Sequence, residues 1–272
     1  MNNNDILSVI MCVKNGAPFL SRSIGSIINQ TITDWEFVIC DDGSTDNTLE
    51  ILKGYENIDR RITIIHNDIS VGAAEARNQC IRLTKGRFIA IQDADDESDS
   101  TRFEKQLAFF DKHPEYTIVG TCWYNVDENG RKWPNDVPFE PTALDQVKGG
   151  LFMHPSWMMK RADVEKVGFY TANKYTLRSQ DYHLAMKVLG AGMKMCNMHE
   201  RLYNYYVDDN TMKRSLSWSR VKGLMWIRWD SYKRNHLPLW CYVYVLKPLI
   251  TNLLPKSFMM RHYKKIYNNG SN

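Results

Sequence analysis

The chain has 272 residues, of which 43% are hydrophobic, 12% aromatic and 24% charged. That balance excludes a disordered, collagen-like or low-complexity polymer and allows one large packed domain or two small ones. The formal charge of +4 divides unevenly: residues 213–272 carry twelve Lys and Arg against one acid, Asp230, a balance of +11, so residues 1–212 carry −7. The six cysteines are scattered without a CxxC or Cys/His spacing, and MNNNDILS lacks a basic region followed by an apolar run. The expectation is therefore a reducing cytoplasm, with neither structural zinc nor a disulfide framework.

Four short apolar runs, Leu7 to Val13, Trp35 to Cys40, Ile62 to Ile65 and Arg87 to Ile91, suit strands buried on both faces. Between them, Phe19, Ile24, Ile27 and Ile28 share one helical face. Thr48, Ile51 and Leu52 mark a second helix, and Ala73, Ala76, Cys80 and Leu83 a third. Alternation of strand and helix predicts a mostly parallel sheet flanked by helices, in which ligands bind beyond the carboxyl ends of the strands. Each predicted strand runs into a polar segment: Lys14 to Gly16 after the first, DDGSTD from Asp41 after the second, His66 to Asp68 after the third and QDADD from Gln92 after the fourth.

Further along, Thr117 onward reads as a strand running into a turn at Glu128 to Gly130. Ser156 to Lys160 reads as another short strand, Gln180 to Leu189 as a helix and Lys194 to Tyr206 as a long strand. No linker interrupts this half, so residues 1–212 are expected to form one catalytic domain and residues 213–272 a basic, aromatic helical extension. Leu237 to Leu254 is apolar but holds Pro238, Lys247 and Pro248, which disfavours a spanning helix. Trp240, Tyr242, Tyr244, Phe258 and Tyr263 alternate with Lys247, Lys256, Arg261, Lys264 and Lys265. This mixture suits either peripheral contact with an anionic membrane or an amphipathic helix packed on the domain.

QDADD carries the strongest chemical signal. Three carboxylates in four positions, Asp93, Asp95 and Asp96, repel one another unless solvent or a hard cation neutralises them; the plain alternative is a loop capping the next helix. In DDGSTD, Gly43 and Asp46 are explained by turn and capping chemistry, which leaves Asp41 and Asp42 for a ligand such as an imide N–H or a ribose hydroxyl. Neither GxGxxG after the first strand nor GxxxxGK[ST] occurs, so phosphate must be held by metal and cationic side chains, with Arg77 a candidate.

The set SVIMCVKNG, SIGSIINQT, DWEFVICDDGSTD, GAAEARNQCI, TKGRFIAIQDADD and SQDYHL resembles the family 2 glycosyltransferases of the GT-A fold that build bacterial polysaccharides, over roughly Ile6 to Val207. The resemblance implies inverting transfer of a hexose from a UDP-sugar, with UDP-glucose or UDP-galactose favoured, using Mn²⁺ or Mg²⁺ and forming a β linkage. The acceptor would be GalNAc or GlcNAc on a lipid diphosphate, in O-antigen or capsule synthesis at the inner face of the cell membrane. Nucleic acid is not expected as a partner. It further implies that Val13, Asn15, Asp41, Asp42, Arg77, Asp93 and Asp95 bind the nucleotide, Asp42 taking the uracil. Asp95 would be the foremost metal ligand, with Asp93 and Asp96 beside it. Asp181, the second residue of the Gln180–Asp181 pair, would be the general base. His154, Trp157 and Gln180 would line the sugars, and His183 departs from an acidic residue common in the family. A sugar nucleotidyltransferase, or a non-catalytic protein binding nucleic acid or lipid, is the alternative.

Overall fold

The computed structural model describes residues 7–207 and 217–253. The strands are β1 (Leu7–Val13), β2 (Trp35–Asp41), β3 (Ile62–His66), β4 (Phe88–Ile91), β5 (Glu97–Ser98), β6 (Tyr116–Val126), β7 (Lys132–Asn135), β8 (Met158–Lys160) and β9 (Lys194–Tyr206). The helices are α1 (Leu20–Ile28), α2 (Thr48–Ile58), α3 (Ala73–Leu83), α4 (Arg102–Lys112), α5 (Arg161–Lys166), α6 (Gln180–Gly190), α7 (Trp218–Arg234) and α8 (Lys247–Leu253).

One sheet runs in the order β3-β2-β1-β4-β8-β6-β9-β5, with β7 paired to β6. β3, β2, β1 and β4 are mutually parallel. β8 enters antiparallel between β4 and β6, and β6 is parallel to β9. Successive side chains of β1 and β2 alternate faces, which builds a core on each side. Val9, Met11, Phe37 and Ile39 pack with Leu20, Ile24 and Ile27 of α1, Leu52 of α2 and Phe103 of α4. Ile10, Val38, Ile89 and Ile91 pack with Ala76 and Cys80 of α3 and Leu184 and Val188 of α6.

The chain leaves β1 on one side toward β2 and later returns on its other side as β4, so the ends of β1 and β4 diverge around a crevice. Arg102, buried and with no carboxylate partner among the described residues, holds this end together by donating to the carbonyls of Ile91 and Trp157. The extension is seated on the domain. Tyr232 of α7 and Cys241 and Val245 of the 3₁₀ segment Leu239–Leu246 pack with Val147 and Met186. Among the described residues no helix is long and apolar enough to cross a membrane. Of the cationic and aromatic tail, Lys256, Phe258, Arg261, Tyr263, Lys264 and Lys265 lie outside the described residues, as does the expected boundary at 212 and 213.

Candidate active site

A cleft of about 840 Å³ opens where the loops after β1, β2 and β4 meet the end of β9 and the β6–β7 turn. Val13, Asn15, Asp42, Arg77, Asp93 and Asp95 all line it, so six of the seven expected nucleotide ligands converge on one space. Asp41 does not. It is fully buried, accepting from the Ser44 N–H and lying 2.8 Å from His66 Nδ1, and so braces the ends of β2 and β3 from behind the cleft wall.

The loop after β1 is held by its partner after β2. Asn15 adopts φ +54°, its side-chain oxygen accepts from the Thr45 N–H at 2.8 Å, and its own N–H donates to Ser44 Oγ at 2.8 Å. A Cβ on Gly16 would lie 2.5 Å from Val13 Cγ2, so the loop turns this tightly only with glycine. Asp42 stands at the rim with both oxygens occupied. Oδ1 accepts from the Val71 N–H (2.7 Å) and Asn67 Nδ2 (3.2 Å), while Oδ2 accepts from Ser70 Oγ (2.7 Å) and the Gly72 N–H (2.9 Å). Burial pushes its pKa upward, but these four donors outweigh that and hold it below 3.8. The four donors fill the acceptor positions of the carboxylate, so a base imide must displace one of them.

Arg77 projects from α3, buried, and its Nη2 lies 3.1 Å from Asp93 Oδ1. Burial opposes its charge, but Cys12, Asp93, Tyr170 and Asp181 around it more than compensate, so it stays a cation. Its Nη1 is buried with no hydrogen-bond partner among the described residues, which leaves one donor on the cleft wall unspent. Cys12, also at the cleft, is no nucleophile: burial pushes its thiol up to about 11.

The three acids of QDADD separate by environment. Asp95 is exposed on the cleft wall, and its carbonyl accepts from Arg22, whose guanidinium lies 3.4 Å from the Tyr206 ring. Asp93 is half-buried beside Arg77. Asp96 is fully buried and does not reach the cleft, which corrects its expected place in the metal set. Burial beside Asp95 and Asp93 pushes it well above 3.8, and it anchors the end of β9 by accepting from the Tyr206 N–H at 2.9 Å. Among the described residues no three His, Cys, Asp or Glu side chains gather around a common metal position.

Asp181 is half-buried at the head of α6, next to Ser179, whose φ of +57° is a strained conformation for a non-glycine residue. Burial raises its pKa above 3.8, against the Tyr182 N–H and the charge of Arg77. It does not line the large cleft; it lines a smaller cavity of about 260 Å³ with Gly150, Ser179, Tyr182 and, from α7, Leu224, Ile227 and Arg228. Gln180, its neighbour, is half-buried, with Oε1 lacking a partner among the described residues.

Two expected sugar-lining residues are buried instead. Trp157 is 1% exposed in the core between β4, β8 and α6, and packs edge-on against His154 at 4.8 Å. His154 Nε2 lies 2.7 Å from the Tyr170 hydroxyl, and burial holds the imidazole neutral, well below 6.5. Neither lines either cavity. Their apolar setting, MHPSWMM, favours core over ligand contact. His183 is buried and reaches Asp230 Oδ2 on α7 at 2.9 Å, so it ties the extension to α6. Sequence reasoning missed Arg22, Ser70, Tyr205, Tyr206 and the Asp127–Gly130 turn as cleft lining. The turn was legible as a turn, but its place over the cleft depends on the length of β6.

The pattern of Glycosyl transferase family 2 matches residues 8–168, which contain every cleft residue taken from β1, β2, α3 and β4. The chain belongs to that family. It is 35% identical over 267 residues to EpsE of Bacillus subtilis, named as a glycosyltransferase, covering 97% of this chain and 95% of that protein. It is 25% identical over 251 residues to WfaP of Escherichia coli, named as a UDP-Glc:α-D-GlcNAc-diphosphoundecaprenol β-1,3-glucosyltransferase; the match covers 90% of this transferase and 95% of WfaP. Its fold matches the crystal structure of S. aureus TarS 1-349 in complex with UDP-GlcNAc with a TM-score of 0.70 at 19% identity, over 91% of this chain and 71% of that one. It also matches the mannosyltransferase PcManGT of Pyrobaculum calidifontis in complex with GDP-Man and Mn²⁺, with a TM-score of 0.64 at 15% identity, over 97% and 81%. These two likenesses establish the GT-A architecture for this glycosyltransferase.

Proposed function

We propose that the protein transfers a hexose, glucose or galactose, from its UDP derivative to a GlcNAc or GalNAc carried on a lipid diphosphate, with inversion to a β linkage. The reaction would serve bacterial surface polysaccharide synthesis at the inner face of the cell membrane. The observation that carries the reading is the cleft at the ends of β1 and β4, which the buried Arg77, held 3.1 Å from Asp93, and the exposed Asp95 line together. WfaP, by its name, joins the same donor and acceptor classes, and TarS holds UDP-GlcNAc in the same fold.

In this reading the loop of Val13 and Asn15 and the rim at Asp42 receive the nucleoside, and the Arg77 cation on the cleft lining faces the diphosphate. The donor set fits Mn²⁺ or Mg²⁺, because such ions bind nucleotides through one or two carboxylates and take their remaining ligands from phosphate and water. Asp95 and Asp93 would hold the ion, which would supply charge neutralisation for the diphosphate leaving group. Asp181 takes the proton of the acceptor hydroxyl as its oxygen bonds to the anomeric carbon and the bond to UDP breaks. A base must be ionised to act, and burial of Asp181, which raises its pKa, moves the rising limb of the pH–rate profile upward from that of an exposed aspartate.

The test is turnover of a panel of UDP-sugars with Mn²⁺ and a synthetic lipid-diphosphate-linked GlcNAc or GalNAc. Transfer from one donor, giving a product with the β anomeric configuration, supports the reading. Release of pyrophosphate from UTP and a sugar phosphate would place the chain among nucleotidyltransferases instead.

A further inference from the structure

One face of the extension is covered by none of the described residues. The 3₁₀ segment Leu239–Leu246 repeats every three residues, so Trp240, Val243 and Leu246 stack in a single row. Ile250 and Leu253 continue the apolar surface along α8. These five side chains are 53, 67, 45, 54 and 66% exposed, and Leu239 at the start of the row is 88% exposed. The opposite side of the same segment, Cys241 and Val245, is the one seated on Val147 and Met186. Trp229 of α7, 55% exposed, widens the apolar surface through its edge contact with Tyr242 at 5.1 Å. Single exposed apolar residues are ordinary in a folded protein; a continuous row of this length is not.

From Ser231 to the C-terminus the sequence has seven Lys and Arg and no acid; Lys233, Arg234 and Lys247 are the three among the described residues, and Arg234 is paired with Asp230. Lys247, between the two halves of the row, donates to the Lys148 carbonyl at 2.8 Å, which fixes a cation beside the apolar face. A second copy of the chain would bring the same positive surface against itself, whereas an anionic bilayer opposes it with phosphate.

We infer that Leu239, Trp240, Val243, Leu246, Ile250 and Leu253 form a docking face for an anionic lipid surface. The apolar row enters the boundary between headgroups and acyl chains, with the Trp240 indole at headgroup level and the surrounding cations on lipid phosphates. Helix α7 connects this face to the chemistry, because its Ile227 and Arg228 line the cavity that Asp181 shares. An acceptor anchored in the same bilayer therefore meets the base one helix away from the docking face. This deepens, and in that last step rests on, the lipid-linked acceptor proposed above; its test contains no sugar nucleotide, so failure of docking and failure of transfer are told apart.

The experiment is co-sedimentation of the full chain with vesicles of phosphatidylcholine alone and of phosphatidylcholine with an equal part of phosphatidylglycerol, repeated at rising salt. The wild type is expected to bind the anionic vesicles in a salt-sensitive manner and the neutral ones far less. The triple variant Trp240→Ser, Val243→Ser, Leu246→Ser removes exposed side chains only, so it keeps the wild-type melting temperature and UDP affinity. It is expected to bind anionic vesicles at least about tenfold more weakly. Equal binding by wild type and triple variant overturns the inference, as does a wild type that ignores both vesicles. A variant that loses self-association on a sizing column while vesicle binding is unchanged assigns the face to a second copy and also overturns it.

Discussion

The two walls of the proposed catalytic region differ in how their carboxylates are held. On the wall formed by β1, β2 and β4, charge is largely compensated within the chain: Asp42 accepts four hydrogen bonds and Asp93 faces Arg77. At the head of α6 the carboxylate differs, because burial disfavours the charge on Asp181; a residue at positive φ (Asn15, Ser179) and a buried polar atom with no partner among the described residues (Arg77 Nη1, Gln180 Oε1) occur on both walls. A wall whose carboxylates are held in place suits binding, since only one donor on Asp42 has to give way when a ligand arrives. A carboxylate whose charge is disfavoured suits chemistry, where the cost is recovered when a proton moves.

Replacing the proposed base breaks this contrast most sharply. Asp181→Asn is expected to lower kcat by about a hundredfold to ten-thousandfold while leaving UDP affinity within a factor of two, as read by transfer kinetics and calorimetry. The same variant is expected to keep or raise the melting temperature at neutral pH. The sign follows from the raised pKa: an acid raised by folding detracts from stability at pH values above its unfolded pKa, and the amide removes that burden.

On the binding wall the expectation inverts. Asp42→Ala strands the four donors of residues 67–72 and should cost about 2 kcal/mol of stability, seen in denaturant unfolding, and weaken UDP binding as the rim loosens. Because folding lowers the pKa of Asp42, its contribution is complete above about 3.8 and disappears as pH falls through the lower folded value. Acid unfolding should therefore start at a higher pH in the wild type than a carboxylate-independent fold would show, and the wild type and the alanine variant should converge in stability toward low pH.

The smallest effect is expected at Trp157. Trp157→Phe should lower stability by about 1 kcal/mol or somewhat more through lost packing and leave KM for the donor unchanged, since the side chain lines neither cavity. A shift in KM without loss of stability would return Trp157 to the sugar site.

The same contrast explains which features the sequence makes legible. The binding wall is legible because its strands are near-continuous apolar runs and its ligands come directly after them, as Asn15 does after β1 and Asp93 after β4. The support beneath Asp42 is not, because Ser70, Val71 and Gly72 lie 28 to 30 residues away and no local spacing connects them. Elements as short as β5, with two residues, leave no periodicity to detect. Asp96 looks equivalent to Asp95 in QDADD, and only the turn into β5 sends one outward and the other beneath Tyr206. On the chemical wall, Asp181 is readable as a carboxylate opening a helix, but the left-handed Ser179 two residues before it has no sequence mark. Asp230, the lone acid of residues 213–272, shows in the sequence only as part of a charge count; its role is to accept from His183 and Arg234 and so join α7 to α6.

The central claim is that the cleft holds a nucleoside diphosphate through a cation on Asp95, apart from the base at Asp181. Calorimetric titration of UDP into the wild type and Asp95→Ala, each with and without Mn²⁺, tests it most directly. Mn²⁺ is expected to strengthen binding to the wild type and not to the variant. UDP that fails to bind the wild type, or binds it equally well without Mn²⁺, would contradict it.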